Sequence, residues 1–560
     1  MATSHYPRNP KAHLERLLRL ESEDLAAVLA FALAAGLMAL ATPVAVQALV
    51  NTIAFGVLLQ PLLILSLTLF ACLSLSALLS AFQIYVIEMI QRRLYVRLVS
   101  DMATALTANP DPTERRIHGS ALANYYFEVM TVQKSWAHLL LDGLAYGLQT
   151  FIGFLLLAFY HPALLAFDVL IVVSMTLIFR TLGTAGVETA IAESQAKHDM
   201  GRWLQAIPRQ GILAAWGAGR RFVLMTSNNL AERYLKNSAM HFKIVMKQQA
   251  AILALHAVAN TTLLGLGGWM VIERQLTLGQ LAAAELIVSA MLSGLTRLGK
   301  SITSYYDLMA SMDKLSYLLD LPAEQINGER LKGGAEGFRL EARGLIPGSP
   351  SPRGDETPLP LSFEARPGSR LLLALSTRDR VDRLLGTLGG LVPPRSGSVQ
   401  FNGIELSLID RAQLRDEVTL LIRPEWFEGR IIDNLRLGRE AIASEAIHEV
   451  LQRLGILDRF TQLPEGLNTR LVRNGFPLDD SELALLSLAR ALILPTRLLL
   501  IGQILELLEE RDLDPVIRAL LAEDESSTRI LVTSSPRMLS LLEGRLPIVR
   551  DVFPGGSVHD

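Results

Sequence analysis

The sequence predicts a helical membrane domain of six spans followed by an α/β domain, and three observations support this fold class. Long apolar runs with few charges are concentrated in the first half of the chain. Basic residues are concentrated in alternate connections between these runs. From residue 361 onward, short β-type runs alternate with helical patterns. At 560 residues, about half of them hydrophobic, the chain is long enough for two or more domains.

Six apolar runs reach the length of about 20 residues that a helix needs to cross a bilayer core. They lie near residues 25–50, 57–89, 136–160, 162–182, 248–272 and 277–301. The first run is too long, and lacks the flanks, for a cleavable signal peptide, so we expect it to stay as a membrane anchor. The second contains the only cysteine, Cys72, which excludes an internal disulfide framework and is expected to be a small buried apolar residue.

The distribution of lysine and arginine predicts the orientation of these spans. The connections from span one to two, three to four and five to six are nearly free of basic residues. The N-terminal tail and the two long links are basic, and carry Arg8, Lys11, Arg16, Arg19, Arg92, Arg93, Arg97, Arg115, Arg116, Lys134, Arg202, Arg209, Arg220, Arg221, Arg233, Lys236, Lys243 and Lys247. By the positive-inside rule, both termini and both links face the cytoplasm. The net charge of −2 gives no indication of a nucleic-acid partner.

The two basic links have sequences typical of helices, so we expect membrane helices that continue well into the cytoplasm. Proline and glycine interrupt each link near its midpoint, where the chain must turn back toward the membrane. The residues that we assign to these two turns are His118, Gly119 and Ser120 in the first link, and Pro208, Gly211, Trp216 and Gly217 in the second.

Composition divides the chain into four parts. Residues 1–24 form an N-terminal tail, residues 25–325 the membrane domain, residues 326–360 a linker and residues 361–560 the α/β domain. Within the linker, the segment from Gly344 to Pro360 is loop-like and rich in glycine, proline and serine. The strand candidates in the last part are LLLAL, SVQFNG, EVTLLI, RLLLIG and RILVTS. Most of them are apolar enough for a buried sheet with helices on both faces.

Local motifs occur in a fixed order along the second half of the chain. They are 276–281 (LTLGQL), 318–322 (LLDLP), 396–399 (SGSV) with 402–403 (NG), 426–429 (WFEG) with 433–435 (DNL), 463–469 (LPEGLNT) and 488–492 (LARAL). With these motifs and six spans before an α/β domain, the chain resembles a half-transporter of the ATP-binding cassette (ABC) exporters, from about residue 20 to about residue 550. The resemblance implies that the two turns in the links are coupling helices, which press on ABC domains.

At its phosphate loop, the chain departs from the ABC pattern. A working P-loop reads G-x-x-x-x-G-K-[ST], with glycines for close backbone approach, a lysine for the phosphates and a hydroxyl for Mg²⁺. The corresponding stretch, 368–391, predicts a strand over 371–375, a loop, and a helix that starts near Val381. The four P-loop positions then hold Leu375, Arg380, Val381 and Asp382.

The other nucleotide positions implied by the resemblance depart as well. They are Ile422 in place of the glutamine, Leu478, Asp479, Asp480, Ser481 and Glu482 in place of the L-S-G-G-Q signature, Ile501 and Gly502 in place of the second Walker carboxylates, and Ser534 in place of the histidine. Carboxylates in the signature repel a phosphate. Between Phe338 and Phe363 there is no aromatic residue to stack on adenine. We therefore expect no cofactor and no metal on this chain, with ATP and Mg²⁺ entering only through a partner chain.

These departures predict a catalytically silent subunit, a pseudo-ATPase, of a bacterial ABC exporter in the inner membrane. The subunit would supply membrane spans and coupling helices to an assembly powered by an intact ABC ATPase. A periplasmic adaptor protein and membrane lipids are further expected partners, and a peptide or protein is the weakly favoured cargo. Three polar residues within apolar spans are candidates for the transport path, namely His256, Asn260 and Glu285. Glu285 near the outer interface and His256 bonded to a neighbouring helix are the alternative interpretations.

Three further alternatives stay open. In the first, the chain is a membrane scaffold or regulatory protein that transports nothing. In the second, the chain is a subunit that binds ATP without hydrolysing it. The third concerns the charged run after Thr377, in which Arg378 and Arg380 replace the lost phosphate contacts. In the opposite interpretation, the whole run is a solvated surface loop, together with Asp379, Asp382 and Arg383.

Overall fold

The computed structural model describes residues 9–54, 59–108, 124–183, 185–320, 328–331, 336–348 and 360–550. These residues form two compact units, one within residues 9–320 and the other within residues 328–550. The first unit is helical, and the second combines sheets and helices. His118, Gly119 and Ser120 of the first predicted turn lie outside the described residues, as do residues 326–327, 332–335 and 349–359 of the predicted linker.

Long helices build the first unit. They are α1 (Pro10–Leu20), α2 (Ser22–Ala39), α3 (Ala41–Ala54), α4 (Leu59–Ala108), α5 (Tyr126–His138), α6 (Leu144–Tyr160), α7 (Pro162–Leu182), α8 (Gly186–Ala206), α9 (Gly211–Ala215), α10 (Gly217–Ile272) and α11 (Leu278–Leu319). A π-helical turn, Leu139–Gly143, joins α5 to α6, and a 3₁₀ turn, Ile207–Gln210, precedes α9.

Six helical segments among the described residues are long and apolar enough to cross a membrane. They are Ser22–Asn51, Leu62–Thr107, Tyr126–Phe159, Pro162–Leu182, Gly217–Ile272 and Leu278–Leu319. The prediction of six spans is thereby confirmed. Helices α4 and α10 have 50 and 56 residues, more than twice what a bilayer core requires, so both extend beyond it, as their basic sequences predict.

Local sequence explains where two of these spans begin. Pro162 occupies the first position of α7, where its missing N–H costs nothing, and the His161 side chain accepts a hydrogen bond from the Ala163 N–H at 3.1 Å. Helix α11 begins with a capping box: Thr277 Oγ1 accepts from the Gln280 N–H at 3.1 Å, and Gln280 Oε1 accepts from the Thr277 N–H at 2.8 Å. These caps allow the short connections before α7 and α11.

Helix α11 holds the first unit together through two apolar clusters and one buried polar contact. Its residues Leu308, Met312 and Leu315 pack with α4 and α5, while Ile287, Val288 and Met291 pack with α7 and α10. The buried Glu128 carboxylate of α5 accepts a hydrogen bond from Ser311 of α11 and lies 3.2 Å from His198 Nε2 of α8. This carboxylate therefore links three helices.

The second unit contains eleven strands and eight α-helices among its described residues. The strands are β1 (Leu340–Ile346), β2 (Leu361–Ala365), β3 (Arg370–Ala374), β4 (Ser396–Phe401), β5 (Ile404–Glu405), β6 (Val418–Leu421), β7 (Gly429–Arg430), β8 (Arg470–Leu471), β9 (Leu498–Ile501), β10 (Thr528–Thr533) and β11 (Ile548–Arg550). The helices are α12 (Arg378–Leu388), α13 (Arg411–Glu417), α14 (Ile431–Arg436), α15 (Ser444–Arg453), α16 (Leu457–Thr461), α17 (Asp480–Ile493), α18 (Glu510–Leu521) and α19 (Pro536–Leu542).

The main sheet is parallel, with strand order β11-β3-β10-β9-β6. All four residues of β9 are buried, as are all six of β10, which agrees with a sheet covered on both faces. A separate antiparallel sheet has the order β2-β1-β4-β5, and β7 pairs with β8. The predicted strand SVQFNG, which corresponds to β4, thus belongs to the antiparallel sheet and not to the main one.

One prediction about the phosphate-loop region is wrong. Helix α12 begins at Arg378, three residues before Val381, because the Thr377 side chain accepts a hydrogen bond from the Arg380 N–H and caps the helix there. The charged run 378–383 is accordingly the first part of a helix and not a surface loop. The sequence pattern predicts a later start because it does not show that the Thr377 side chain caps the helix.

We predict that Gly279→Ala destabilises the first unit by roughly 1–3 kcal/mol, because a β-carbon there would overlap Asn51 Oδ1 and lie 2.9 Å from the Gln47 carbonyl oxygen. The matched control is Gly268→Ala on α10, where no heavy atom lies within 4 Å of the added carbon. This control should leave stability unchanged or slightly raised. Thermal denaturation of both full-length variants in detergent checks the prediction; equal midpoints would contradict it.

Candidate functional site

The parallel sheet brings the predicted nucleotide positions of four separate segments to one edge. Leu375 follows β3, Ser534 follows β10, Gly502 follows β9 and Ile422 follows β6, and these four strands are neighbours in the sheet. The carboxyl edge of a parallel sheet is where ligands bind in open α/β folds. The edge is therefore the candidate site, and its side chains decide what it can do.

In the phosphate-loop segment two backbone N–H groups are used within the protein, whereas the side chains of Ser376, Arg378 and Asp379 are exposed. The Leu375 N–H donates to the Thr533 carbonyl at 2.9 Å, and the Arg380 N–H is used by the Thr377 cap at 3.4 Å. Val381, at the lysine position, is fully buried and belongs to the same apolar cluster as Leu384 and Leu385. A side chain at this position points into the core, so it cannot reach a phosphate at the edge.

The second Walker position is apolar and closely packed. Ile501 is fully buried in an apolar cluster with Leu421 and Leu435. The Gly502 N–H donates to the Leu421 carbonyl at 2.7 Å, and a β-carbon on Gly502 would lie 2.6 Å from Leu385 Cδ1. Ile422 packs against the apolar cluster that contains Val381. These positions offer neither a ligand for Mg²⁺ nor a base for water.

An internal ion pair connects three strand ends at this edge. The Arg378 guanidinium donates to Glu506 Oε2 at 2.8 Å, and Thr533 Oγ1 donates to Glu506 Oε1 at 3.3 Å. Gln503 Nε2 also donates to the Arg378 carbonyl at 3.2 Å. Of the two arginines that could replace the lost phosphate contacts, Arg378 is thus paired with a carboxylate of its own chain, and Arg380 Nη1 donates to Ser376 Oγ at 3.2 Å.

Sequence reasoning missed Glu506. It lies in a 3₁₀ turn, Gln503–Leu507, immediately after β9. The signal that it offered was a single carboxylate in the apolar run IGQILELL. Gly502, Glu506, Thr533 and Met538 line a cavity at this edge with space of only about 10 Å³ for the centre of a water molecule. This is about the room that one water requires, and far less than a nucleotide requires.

The aromatic residues that flank the missing adenine contact are also unavailable for stacking. Phe338 is fully buried, and the Arg497 guanidinium lies 4.1 Å from its ring centre. Phe363 is buried in the same apolar cluster. Neither ring presents a face to a ligand.

In the signature segment, a carboxylate of the chain itself accepts a hydrogen bond at the start of helix α17. Asp479 caps helix α17: its Oδ1 accepts from the Glu482 N–H at 2.8 Å, and Glu482 Oε2 accepts from the Asp479 N–H at 3.1 Å. Ser481 is buried, and its Oγ accepts from the Glu509 N–H at 3.3 Å. The helix start that would bind an anion is therefore occupied by a protein carboxylate, with exposed Asp479 and Asp480 beside Leu478.

The second predicted turn is confirmed as a break between long helices. Pro208 lies in the 3₁₀ turn, Gly211 begins the five-residue α9, and Trp216 is extended before Gly217 starts α10. Large apolar side chains are exposed here, including Ile212 at 78% and Trp216 at 71%. A cavity of about 360 Å³ behind them is lined by Trp203, Leu213 and Phe222, among others. We call residues 207–216 the coupling tip.

The candidate path residues lie on neighbouring helices α10 and α11. Thr296 Oγ1 lies 3.5 Å from His256 Nδ1, which agrees with a histidine bonded to a neighbouring helix. Asn260 Oδ1 and Glu285 Oε2 are buried atoms without a hydrogen-bond partner in the described part of the chain. Sequence reasoning missed Asp168 of α7, which is 3% exposed and has no hydrogen-bond partner for either carboxylate oxygen among the described residues.

No group of three or more His, Cys, Asp or Glu side chains among the described residues could hold a metal ion. Glu506 at the candidate edge is used as an ion-pair partner, and Asp479 at the start of α17 is used as a helix cap.

We predict that Val381→Lys does not create a phosphate contact but destabilises the second unit by roughly 2–4 kcal/mol, because the ammonium group would be buried among leucines. Asp382→Lys, one residue later on the exposed side of α12, is the matched control and should change stability by less than about 1 kcal/mol. Chemical unfolding of the full chains in detergent measures both. Stable Val381→Lys protein that binds ATP would contradict this prediction.

A second prediction concerns the cap of α17. Asp479→Ala should destabilise the second unit by about 1 kcal/mol, because the Glu482 N–H loses its acceptor. Asp479→Ser keeps an acceptor and should stay within about 0.5 kcal/mol of the parent chain. Equal stability of the alanine and serine variants, measured in the same unfolding experiment, would show that the cap has no effect.

Comparisons with known proteins agree with this architecture. No family model matches the chain. It is 24% identical over 272 residues to the mycobactin import ATP-binding/permease protein IrtB of Mycolicibacterium thermoresistibile, covering 48% of this chain and 46% of the relative. It is 26% identical over 284 residues to the ATP-dependent lipid A-core flippase of Xylella fastidiosa, covering 49% and 47%. A fatty acid ABC transporter ATP-binding/permease protein of Mycobacterium tuberculosis is 27% identical over 243 residues, covering 42% and 37%.

The chain spans about half the length, or less, of the curated relatives that it matches. The structural similarity covers more of the chain than the sequence matches do. A bacterial Atm1-family ABC exporter, solved with ATP bound, superposes with a TM-score of 0.80 over 93% of each chain, at 16% sequence identity. The chain therefore has the fold of the ABC exporters, a multi-span helical membrane domain followed by an ABC domain.

Proposed function

We propose that the chain is a catalytically silent subunit of an ABC exporter, which supplies membrane helices and a coupling tip to an assembly powered by another ABC chain. The observation that carries this proposal is the arrangement at the carboxyl edge of the parallel sheet. There, Val381 and Ile501 are buried in apolar clusters, and Glu506 joins Arg378 to Thr533.

The physical chemistry of phosphoryl transfer supports this proposal. Catalysis of that reaction consists almost entirely of positioning the phosphates and neutralising their charge with lysine, arginine and Mg²⁺. On this chain the lysine position, Val381, and the second Walker positions, Ile501 and Gly502, are apolar and buried, and Arg378 already has a carboxylate partner. A triphosphate at this edge would meet the Glu506 carboxylate, with which the Arg378 guanidinium is already paired.

The coupling tip supports a role for the chain inside an assembly. Exposed Ile212, Leu213 and Trp216 form an apolar surface at the end of two long helices. Large exposed apolar patches mark sites of protein association. We propose that this tip contacts an ABC domain of a partner chain, on the cytoplasmic side of a bacterial inner membrane, with the termini on the same side as the basic links require.

The cargo is a separate question. The printed names of the relatives mention mycobactin, fatty acids and lipid A-core. A peptide or protein cargo gains no support from these names and stays a prediction, as does a periplasmic adaptor. The unpartnered oxygens of Asp168, Asn260 and Glu285 are where we propose that a polar or cationic group of the cargo contacts the spans.

The direct test measures nucleotide binding and hydrolysis by the purified full chain. We expect no ATP hydrolysis and no change in the thermal midpoint with ATP and Mg²⁺. A nucleotide at 100 times its dissociation constant would add about 2.7 kcal/mol of stability, which is easily seen. A midpoint shift without hydrolysis would support the alternative of a structural nucleotide. Hydrolysis that is abolished by changing Arg378 or Glu506 would contradict the proposal.

The proposed assembly is tested by purifying the tagged chain from its native membrane and identifying its partners by mass spectrometry. We expect an intact ABC ATPase in the purified material, and we expect Trp216→Glu to reduce its recovery severalfold because a charge disrupts the apolar tip. The matched control is Phe427→Glu, which introduces the same charge at an exposed aromatic residue of the ABC domain. Phe70→Glu does not serve as a control, because Phe70 lies in a membrane span. Recovery of the chain without any ATPase would favour the scaffold alternative.

A further inference from the structure

The region behind the coupling tip contains an apolar cavity that the proposed function does not use. The cavity has a volume of about 360 Å³ and lies between α8, the 3₁₀ turn, α9 and the first turns of α10. Cavities that bind small molecules have volumes of about 300–1,000 Å³. Besides the Trp203 indole, Gln210 is the one polar side chain among the described residues that line it. The cavity therefore suits an apolar ligand.

Several contacts fix the walls of this cavity. The Trp203 Nε1–H donates to Ser227 Oγ at 2.9 Å, and the Trp203 and Phe222 rings meet edge to face with their centres 6.0 Å apart. Gly219 lies directly against the Leu213 carbonyl, since a β-carbon there would overlap that oxygen. Helices α8 and α9 are thus each held against α10, so the space between them is a fixed part of the fold.

Two arginines flank the wall that α10 contributes. Residues 218–219 and 222–223 line the cavity, and on a helix of about 3.6 residues per turn they cover an arc of about 140°. Arg220 and Arg221 lie about 60° beyond the two edges of this arc. Each edge of the cavity wall on α10 therefore has a long, flexible cation beside it.

Arg220 and Arg221 differ from neighbouring arginines in having no internal partner. Their side chains are exposed, and neither forms an ion pair within the described part of the chain. By contrast, Arg202 of α8 and Arg233 of α10 both pair with Asp199. Two positive charges are thus available to an anionic group at the rim of the cavity.

An apolar cavity with a cationic rim is complementary to an anionic amphiphile. We propose that this cavity binds a long-chain fatty acid, with the acyl chain among Trp203, Leu213 and Phe222 and the carboxylate at Arg220 and Arg221. Burial of the acyl chain supplies the affinity, and pairing of guanidinium with carboxylate determines which end of the ligand lies at the rim.

Other apolar ligands fit the cavity less well. A peptide segment would bring backbone N–H and C=O groups that need partners, whereas the Trp203 N–H is already used and only Gln210 remains among the lining side chains. A phospholipid is anchored in the bilayer, but Trp203 lies 17 residues after Gly186, the first residue of α8, or about 25 Å along that helix. Helix α8 is not one of the six segments that could cross a membrane among the described residues.

A bound fatty acid is compatible with the proposed assembly but does not depend on it. Ile212 and Trp216 of the coupling tip do not line the cavity, so they stay available to a partner chain. Binding also does not require that the ABC domain is silent, because the nucleotide positions lie in the other compact unit.

The test is photochemical labelling of the full chain in lipid nanodiscs. The probe is a palmitic acid analogue with a photoreactive diazirine and an alkyne tag, and labelled peptides are identified by mass spectrometry. We expect saturable label within residues 203–223 that unlabelled palmitate displaces. Ala214→Trp fills the cavity and should lower this label by about fivefold or more. Ala215→Trp, at an exposed position of α9 that does not line the cavity, is the matched control and should leave the label unchanged.

Charge removal tests the carboxylate contact. Arg220→Gln combined with Arg221→Gln should lower labelling by the acid probe by about fivefold or more, and should leave labelling by the corresponding fatty alcohol probe unchanged, because the alcohol has no charge to pair. Lys236→Gln combined with Lys243→Gln removes two exposed cations farther along α10 and should change neither. These exposed substitutions decide the question if Ala214→Trp does not fold.

Four results would overturn the fatty acid site. The first is an absence of displaceable label within residues 203–223. The second is an arginine variant that changes labelling by the acid and the alcohol equally, or changes neither. The third is equal labelling of these residues by a phosphatidylcholine with the same photoreactive acyl chain, which would make a bilayer lipid the ligand. The fourth is label that forms on the purified chain but not in its native membrane, since a partner chain then occupies the cavity.

Discussion

The hydrogen bond by which Thr377 caps helix α12 controls the chemistry of the ABC domain. Because the cap starts the helix at Arg378, Val381 falls on its buried side, among leucines, and the Arg380 N–H is used inside the protein. The same start places Arg378 beside Glu506. At this edge of the sheet, where other open α/β folds bind ligands, Arg378, Glu506 and Thr533 therefore contact one another.

Helix α17 repeats this arrangement with different groups. Asp479 and Glu482 satisfy each other's backbone N–H groups, so the helix start has a fixed negative charge in place of free donors. Both helix starts that would hold phosphates are consequently stabilised by internal contacts. The departures from the ABC nucleotide motifs are thus features of the packed domain as much as of individual residues, since both helix starts are held by hydrogen bonds within the chain.

The helical unit keeps the features of a membrane subunit. Helix α7 begins with a proline and α11 with a capping box, α11 approaches α3 closely at Gly279, and Glu128 joins α5, α8 and α11. The apolar coupling tip is exposed at the end of two long helices. Such an apolar surface in contact with water is typical of a site of protein association.

Most of the architecture follows from local properties of the sequence. The spans are long apolar runs, and the strands are short apolar runs between turn residues, so both were predictable, as was the break at Pro208 to Gly217. Residue identity by itself also determines that the lysine, the carboxylates and the signature glycines are missing. These features depend on composition and spacing, which are readable along the chain.

Only the tertiary structure decided what replaces the missing chemistry. Glu506 meets Arg378 and Thr533 because three parallel strands end side by side, although these residues are far apart in sequence. The sheet to which β4 belongs and the unpartnered Asp168 likewise depend on which elements pack together. Sequence determined which groups are present and where helices and strands form; packing decided which groups meet, because contacts between distant segments have no local pattern.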